Sequence, residues 1–366
     1  MNKERSWIEI DQASLAHNYQ QIKKMIKEDT QIIAVVKSNA YGHGAEHIVP
    51  YLASLGVKRF AVACLDEAIA LRSMGITQAI MILGYTCIFA CDKLLTYDLE
   101  QTVFDLDYAK SLPAGTKVHL KIDTGMHRLG VRYDDLEQIS QIMALPNIKI
   151  KGVFSHLASS ELLDAWHDDF TRQQLANFKW LHDRIKASLP QDTLFHILAS
   201  YGLINYPEYQ FNCVRCGMLF YGFLSSEDHG LMQKLGLKPV LSLKSRIAQI
   251  KKVKAGEYVG YDNRFRASKD MSIAIVAIGY YDGIFRSLSN TGHQVKVNDK
   301  LCTILGNICM DQLMIDVTNV TCQMDDEVCL IAADDNISAE KMAKHAGCLT
   351  NELLSRLAMR NIRLLK

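Results

Sequence analysis

The sequence predicts a (β/α)8 barrel followed by a mainly antiparallel β domain, an α/β fold overall. Three observations lead there. Short apolar runs alternate with helix-length amphipathic stretches through the first two thirds of the chain. Those runs are apolar at consecutive positions, as strands covered by helices on both faces are, which argues for a parallel sheet. Beyond about residue 235 the pattern changes to strand-like runs joined by turns that carry Gly, Asn or Asp.

In chain order the barrel strands are expected in "IIAVVKS", "RFAVAC", "AIMILGY", "QTVFD", "KVHLKID", "IKGVFSH", "LFHILAS" and "FNCVRCGMLFYG". Eight such runs in roughly 200 residues fit a TIM-type barrel. Helices are expected between them, for example "LDEAIALRSMG" at 65–75 and "DDFTRQQLANFKWLHDRIKASL" at 168–189, where apolar residues recur at helical spacing. A doubly wound open sheet is the competing fold, but no Gly-x-Gly-x-x-Gly turn follows the first strand. The β domain is read from "VLSLKSRIAQIKKVKAGEYVGY", "MSIAIVAIGYYDG", "HQVKVNDKLCTILGNICMDQLMIDVT" and "DEVCLIA", with one helix at "SAEKMAKHAG". The domains are therefore expected at 1–235 and 236–366, with residues 1–10 available to pair with the second.

Composition excludes several classes. The 366 residues carry 41 basic and 40 acidic side chains, a formal charge of +1, so no basic surface invites nucleic acid. No apolar run approaches the ~20 residues that span a bilayer, and the start "MNKERSWIEIDQ" lacks the apolar core of a secretory signal. The ten cysteines follow no framework of spacings and read as reduced thiols, hence a cytoplasmic protein. Cys213 and Cys216 form the only close pair; without a second pair no metal site is expected.

In a barrel of this kind the chemistry sits at the strand ends. Lys37 and Tyr41 follow the first strand, Arg128 the fifth, His156 the sixth, Ser200 the seventh, and Arg215 lies in the eighth. Taken alone, Lys37 reads as a solvated strand-end residue and His156 as a satisfied core histidine. Taken together, a Lys, two Arg, a His, a Tyr and a Ser without a carboxylate suit an anionic ligand held covalently by an amine, such as a phosphorylated aldehyde.

The phrases "AVVKSNAYGHG", "KIDTGMHRLG", "GVFSHLA", "VRCGMLFYG", "GEYVGY", "IGYYDG" and "NICMDQLM" occur in this order along the chain. In them the chain resembles the alanine racemase family of pyridoxal-phosphate enzymes. The resemblance implies interconversion of L- and D-alanine by two bases, with Lys37 carrying pyridoxal 5'-phosphate as an imine and acting as one base. Tyr261 is the implied second base, on the opposite face of the substrate, with His156 contacting it. Arg215 is implied to face the cofactor's ring nitrogen; an Arg gives up no proton, so that nitrogen stays unprotonated. Arg128 is implied to orient the cofactor and the substrate carboxylate, a surface ion pair being the alternative. Tyr41, Ser200, Gly217 and Met218 are implied to grip the phosphate. Lys121 matches a Lys carbamylated in some relatives, a plain strand Lys being the alternative. Relatives form homodimers in which each site borrows the equivalents of Tyr261, Tyr280 and Met310 from the partner; core packing is the alternative for the last two.

Four positions depart from the family pattern. Ala199 replaces a common Asn, Cys216 a common Pro and His127 a common Gly. Met359, in "AMRNIR", falls where a phosphate-binding Tyr is usual. That last change resembles the racemase domains of vancomycin-resistance-type serine/alanine racemases, as does "TNELLSRL". Serine, alone or beside alanine, is thus the alternative substrate, in a glycopeptide-resistance pathway. There the domain follows a membrane-embedded part, so Met1 is either a natural start or a boundary within a longer protein. An amino-acid decarboxylase of related fold is the remoter alternative; it would show a Gly-rich phosphate loop and an acidic partner for the ring nitrogen, and neither is found.

Overall fold

A computed structural model of the chain describes residues 5–225 and 227–366. Residues 1–4, which include Met1 and the start of the segment expected to pair with the β domain, lie outside the described residues. The chain divides into two compact units. One comprises Ile22–Ser38 and Val49–Gly217; the other comprises the described residues of Met1–Gln21, Asn39–Ile48 and Met218–Lys366.

The first unit is built on the eight expected strands: Gln31–Val35, Arg59–Val62, Ala79–Ile82, Glu100–Val103, Thr116–Asp123, Ile148–Phe154, Leu194–His196 and Cys213–Cys216. Every neighbouring pair is parallel, and Cys213–Cys216 lies beside the first strand, with Cys216 opposite Ala34. The Arg215 backbone N–H donates to Leu198 O at 3.0 Å, which joins the eighth strand to the segment after the seventh. The barrel is thus the one the consecutive apolar runs predict. The expected helix 65–75 runs over Leu65–Ser73. The expected helix 168–189 begins earlier, at Ala165, because Asp164 caps it by accepting the His167 N–H. Capping by a polar side chain leaves no trace in apolar periodicity.

The second unit holds a sheet in which Leu241–Val253 is the long central strand. It pairs antiparallel with Met271–Val276 and Glu327–Ile331, and also with Ser6–Ile10. Ser6–Ile10 in turn runs parallel to Ile362–Leu365. Gln294–Val297, Lys300–Leu305 and Leu313–Asp316 complete the antiparallel part. The helix in "SAEKMAKHAG" is Ala339–Ala346; Ser338 caps it at the start, and Gly347 ends it in the left-handed conformation at φ +73°.

Between Lys37 and Tyr41 the chain winds a single helical turn of the wrong hand. Ser38, Asn39, Ala40 and Tyr41 have φ of 55°, 53°, 53° and 51°. For residues other than glycine this costs roughly 1–2 kcal/mol each, so neighbouring structure must hold it. Gly42 follows at φ +80°, and its carbonyl accepts from Arg363 Nε at 3.2 Å and Nη2 at 3.0 Å. A Cβ on Gly42 would stand 2.0 Å from the Leu354 carbonyl oxygen. Gly42→Ala is therefore expected to cost about 3 kcal/mol or more, read as a lower urea midpoint; an unchanged midpoint would refute the account of the turn.

Candidate active site

Within the barrel unit five of the expected residues share one electrostatic neighbourhood. The Lys37 amine is pushed below its usual value by burial first and by the Arg128 charge second, with Glu67 partly opposing. Glu67 also shapes the strand end: its two carboxylate oxygens accept the Ser38 and Ala63 N–H groups, each at 2.7 Å. Lys121 is buried, with its ammonium nitrogen 4.4 Å from the centre of the Phe154 ring. Burial, then Arg215 and Arg128, push that amine well below its ordinary value. Arg128 is exposed and makes no hydrogen bond or ion pair among the described residues. His127 beside it adopts φ +53°, the region glycine enters freely, which explains why Gly suits that position. Here Asp123 steadies the turn by accepting the His127 N–H at 3.1 Å and meeting its Nδ1 at 3.0 Å.

Arg215 is 3% exposed and held by five bonds. Nη1 donates to His196 Nδ1 at 2.7 Å and His196 O at 3.1 Å; Nη2 donates to Ser155 O at 2.8 Å, Ile197 O at 3.1 Å and His156 Nδ1 at 3.2 Å. Its Nε makes no bond among the described residues, and no carboxylate pairs with it. Because guanidinium only donates, His156 Nδ1 is the acceptor, and the neutral ring carries its proton on Nε2. Removal from water, then the charges of Arg215, Lys121, Arg128 and Lys37, hold His156 well below the usual imidazole value, so it stays neutral. At the next strand end Ser200 opens the helix Ser200–Asn205, and its Oγ accepts the Gly217 N–H at 3.3 Å. Ala199, at the cap position of that helix, supplies no side-chain bond.

Tyr41, Met218, Tyr261, Tyr280 and Met310 belong to the second unit. Tyr41 packs 5.4 Å from Tyr221, and buried Met218 opens the short helix Met218–Tyr221. Asn39 binds the Ala45 N–H through Oδ1 at 2.7 Å and reaches Met359 Sδ through Nδ2 at 3.3 Å. The other three are held at or beside their backbone atoms. Asn307 Nδ2 donates to Tyr261 O at 3.2 Å, the Tyr280 N–H to Cys309 O at 2.9 Å and the Tyr281 N–H to Met310 O at 3.0 Å. Gly279 permits the close approach, since a Cβ there would lie 2.3 Å from Cys309 O.

Buried Asp282 anchors this group. It accepts the Gly279 N–H at 2.7 Å and pairs with Arg5 at 2.7 Å and with Arg360. Burial raises its carboxyl, but Arg360, Arg5 and the Gly279 N–H outweigh that and hold it low. Sequence reasoning missed Asp282, and it missed Glu100, His119 and His196 behind Arg215. The available signal for the histidines was a polar residue in the middle of "KVHLKID" and of "LFHILAS", two otherwise apolar barrel strands. Among the described residues no cluster of His, Cys, Asp and Glu could hold a metal ion, and no helix is long and apolar enough to cross a membrane.

Residues 10–225 match the family model described as "Alanine racemase, N-terminal domain", and residues 240–365 the one described as "Alanine racemase, C-terminal domain". "Alanine racemase 1" of Clostridium acetobutylicum is 37% identical, with 97% of this chain and 93% of that protein aligned. An "Amino-acid racemase" of Enterococcus faecalis is 38% identical across 98% of this chain, which covers 51% of that longer protein. Among solved structures, an alanine racemase of Clostridium difficile 630 superposes with a TM-score of 0.93 at 30% identity, covering 100% of this chain and 97% of that one.

Proposed function

The chain belongs to the alanine racemase family, and from that membership we propose that it interconverts L- and D-alanine with pyridoxal 5'-phosphate bound at Lys37. The observation that carries the reading is Arg215, a buried donor with no carboxylate partner and a free Nε among the described residues. That donor set fits a ring nitrogen kept unprotonated, and a lowered Lys37 amine fits a covalent anchor. Lys37, Tyr41, Ser200, Arg215, Gly217 and Met218 would hold the cofactor, amide and hydroxyl donors taking its phosphate. When bound, it supplies an electron sink for the charge left as the α-proton departs.

The chain's own groups do the rest. Arg128, without a hydrogen-bond or ion-pair partner among the described residues, is available to take the substrate carboxylate in a two-pronged grip. The Lys37 amine, its basicity lowered by burial and Arg128, takes or returns the proton on one face of the α-carbon, and Tyr261 serves the other. A phenol starts near pKa ~10, so its anion needs a donor; His156, with its proton on Nε2, is the group to give one. Tyr261, Tyr280 and Met310 are 65%, 40% and 51% exposed in the single chain, which supports their service to a second copy in a homodimer with shared sites. Lys121 is buried and strongly shifted toward the neutral amine that carbamylation requires. A carbamate there would give Arg128 an anionic partner. The ten free cysteines support a reducing compartment such as the cytoplasm.

The test starts from single enantiomers. Enantiomers have equal free energy in water, so either one must relax to an even mixture if the reading holds. Chiral chromatography after incubation of the pyridoxal-phosphate-loaded protein with L-alanine or D-alanine checks this, and failure to invert either would overturn it. One observation favours a second reading, serine as substrate. Met359, 73% exposed beside Asn39, presents a thioether where relatives commonly carry a phenol. Half of a protein named only "Amino-acid racemase" also matches 98% of the chain. Parallel incubation with L-serine and D-serine decides between them.

A further inference from the structure

Behind Arg215 a single file of hydrogen bonds runs through the barrel unit. His196 Nδ1 takes the Arg215 bond at 2.7 Å, its Nε2 lies 3.1 Å from His119 Nδ1, and His119 Nε2 lies 2.8 Å from Glu100 Oε2. Glu100 then meets Arg59 Nη1 at 3.3 and 3.4 Å. His119 and His196 are fully buried and Glu100 is 5% exposed. The file is built for, not accidental. A Cβ on Gly152 would stand 2.3 Å from His119 Nδ1, so the strand gives up a side chain to admit the ring. Phe154 stacks on His196 at 5.0 Å and 10°, fixing its plane.

Only one arrangement of protons satisfies every bond. Arg215 has no acceptor, so His196 Nδ1 must be bare and its proton must sit on Nε2. That proton points at His119 Nδ1, which must therefore also be bare. The His119 proton then sits on Nε2 and ends on the Glu100 carboxylate. Both imidazoles present lone pairs toward Arg215 and N–H groups toward Glu100.

We infer that Glu100 and His119 are positioning residues that order the protons of this file, so that buried Arg215 is locked in place as a donor. A buried guanidinium without a carboxylate is costly. Two aligned imidazole dipoles carry the influence of the Glu100 charge to it, and such chains strengthen one another in a dry interior. Burial raises the Glu100 carboxyl, but the bond from His119 and the charge and bonds of Arg59 outweigh it and hold it below its ordinary value, so the end of the file stays anionic. The consequence for catalysis rests on the assignment of Arg215 to the cofactor's ring nitrogen.

Ring ¹⁵N NMR of the holoenzyme with labelled histidine tests the ordering directly. Both His119 and His196 are expected as single Nε2–H tautomers. Glu100→Leu leaves the His119 Nε2 proton without its acceptor and should mix the tautomers of His119, while the Arg215 bond still holds His196 as Nε2–H. It should also lower kcat by roughly 10–100-fold, taking as scale the loss when the hydrogen-bond partner behind a metal-ligating histidine is removed, with KM for alanine little changed. Glu100→Gln keeps an acceptor oxygen and should restore single tautomers and most of kcat. An Nδ1–H proton on His196 in the parent holoenzyme overturns the inference, whether or not the leucine variant folds. Mixed tautomers with undiminished kcat in Glu100→Leu would instead overturn the role given to Arg215 at the ring nitrogen, leaving the proton order intact.

Discussion

Replacing Lys37 with alanine is expected to lower racemisation of alanine by at least about 10⁴-fold, the upper end of what one proton-transferring group supplies. The loss should reach that end because anchor and base leave together. Nothing nearby can substitute. Lys121 also has a lowered amine, but it is buried against the Phe154 ring. The environment that prepares Lys37 is largely untouched by the change: Glu67 binds the Ser38 and Ala63 backbone rather than depending on the lysine. The variant should therefore fold, and the measurement can be made on native protein. Two readings check it. Chiral chromatography follows the rate, and borohydride treatment followed by peptide mass analysis finds the cofactor fixed at residue 37 in the parent protein only. Activity within tenfold of the parent, or fixation at another lysine, would remove Lys37 from the mechanism.

Tyr261→Phe should have the next largest effect, and an unequal one. With the phenol gone, one face of the α-carbon has no base while the Lys37 face keeps its own. Net racemisation should fall by about 10²–10⁴-fold in both directions, as removal of one general acid–base requires. Exchange of the α-hydrogen with deuterated water separates the faces. Exchange into one enantiomer should be lost with the phenol, and exchange into the other should persist. Tyr261 is 65% exposed and its side chain packs little of the second unit's core, so a general loss of structure cannot imitate this asymmetry. Equal loss of exchange from the two enantiomers would end the two-base assignment.

The barrel was legible because its strands are buried on both faces, and "IIAVVKS" or "AIMILGY" can satisfy that burial only as consecutive apolar residues. The strand ends were legible for the opposite reason: Lys37, Arg128, His156 and Arg215 interrupt or close those runs with groups that need a partner. What stood behind them was hidden. Glu100, His119 and His196 look like flaws in apolar strands until three strands bring them side by side. The Asp282 anchor was hidden by distance along the chain, its arginines lying 277 and 78 residues away. The turn after Lys37 was hidden by chemistry, since of Ser38, Asn39, Ala40 and Tyr41 only Asn favours a left-handed backbone.

That turn has a consequence for the order in which the protein is made. Its oxygen at Gly42 is held by Arg363, 321 residues downstream. At about 5–20 residues per second on the ribosome, the anchoring side chain follows the turn by on the order of 15–60 s. Through that interval the barrel strands can emerge and pair, but the clamp on the wrong-handed turn does not yet exist. The segment that joins Lys37 to Tyr41 is thus among the earliest stretches to be synthesised and among the last to be secured.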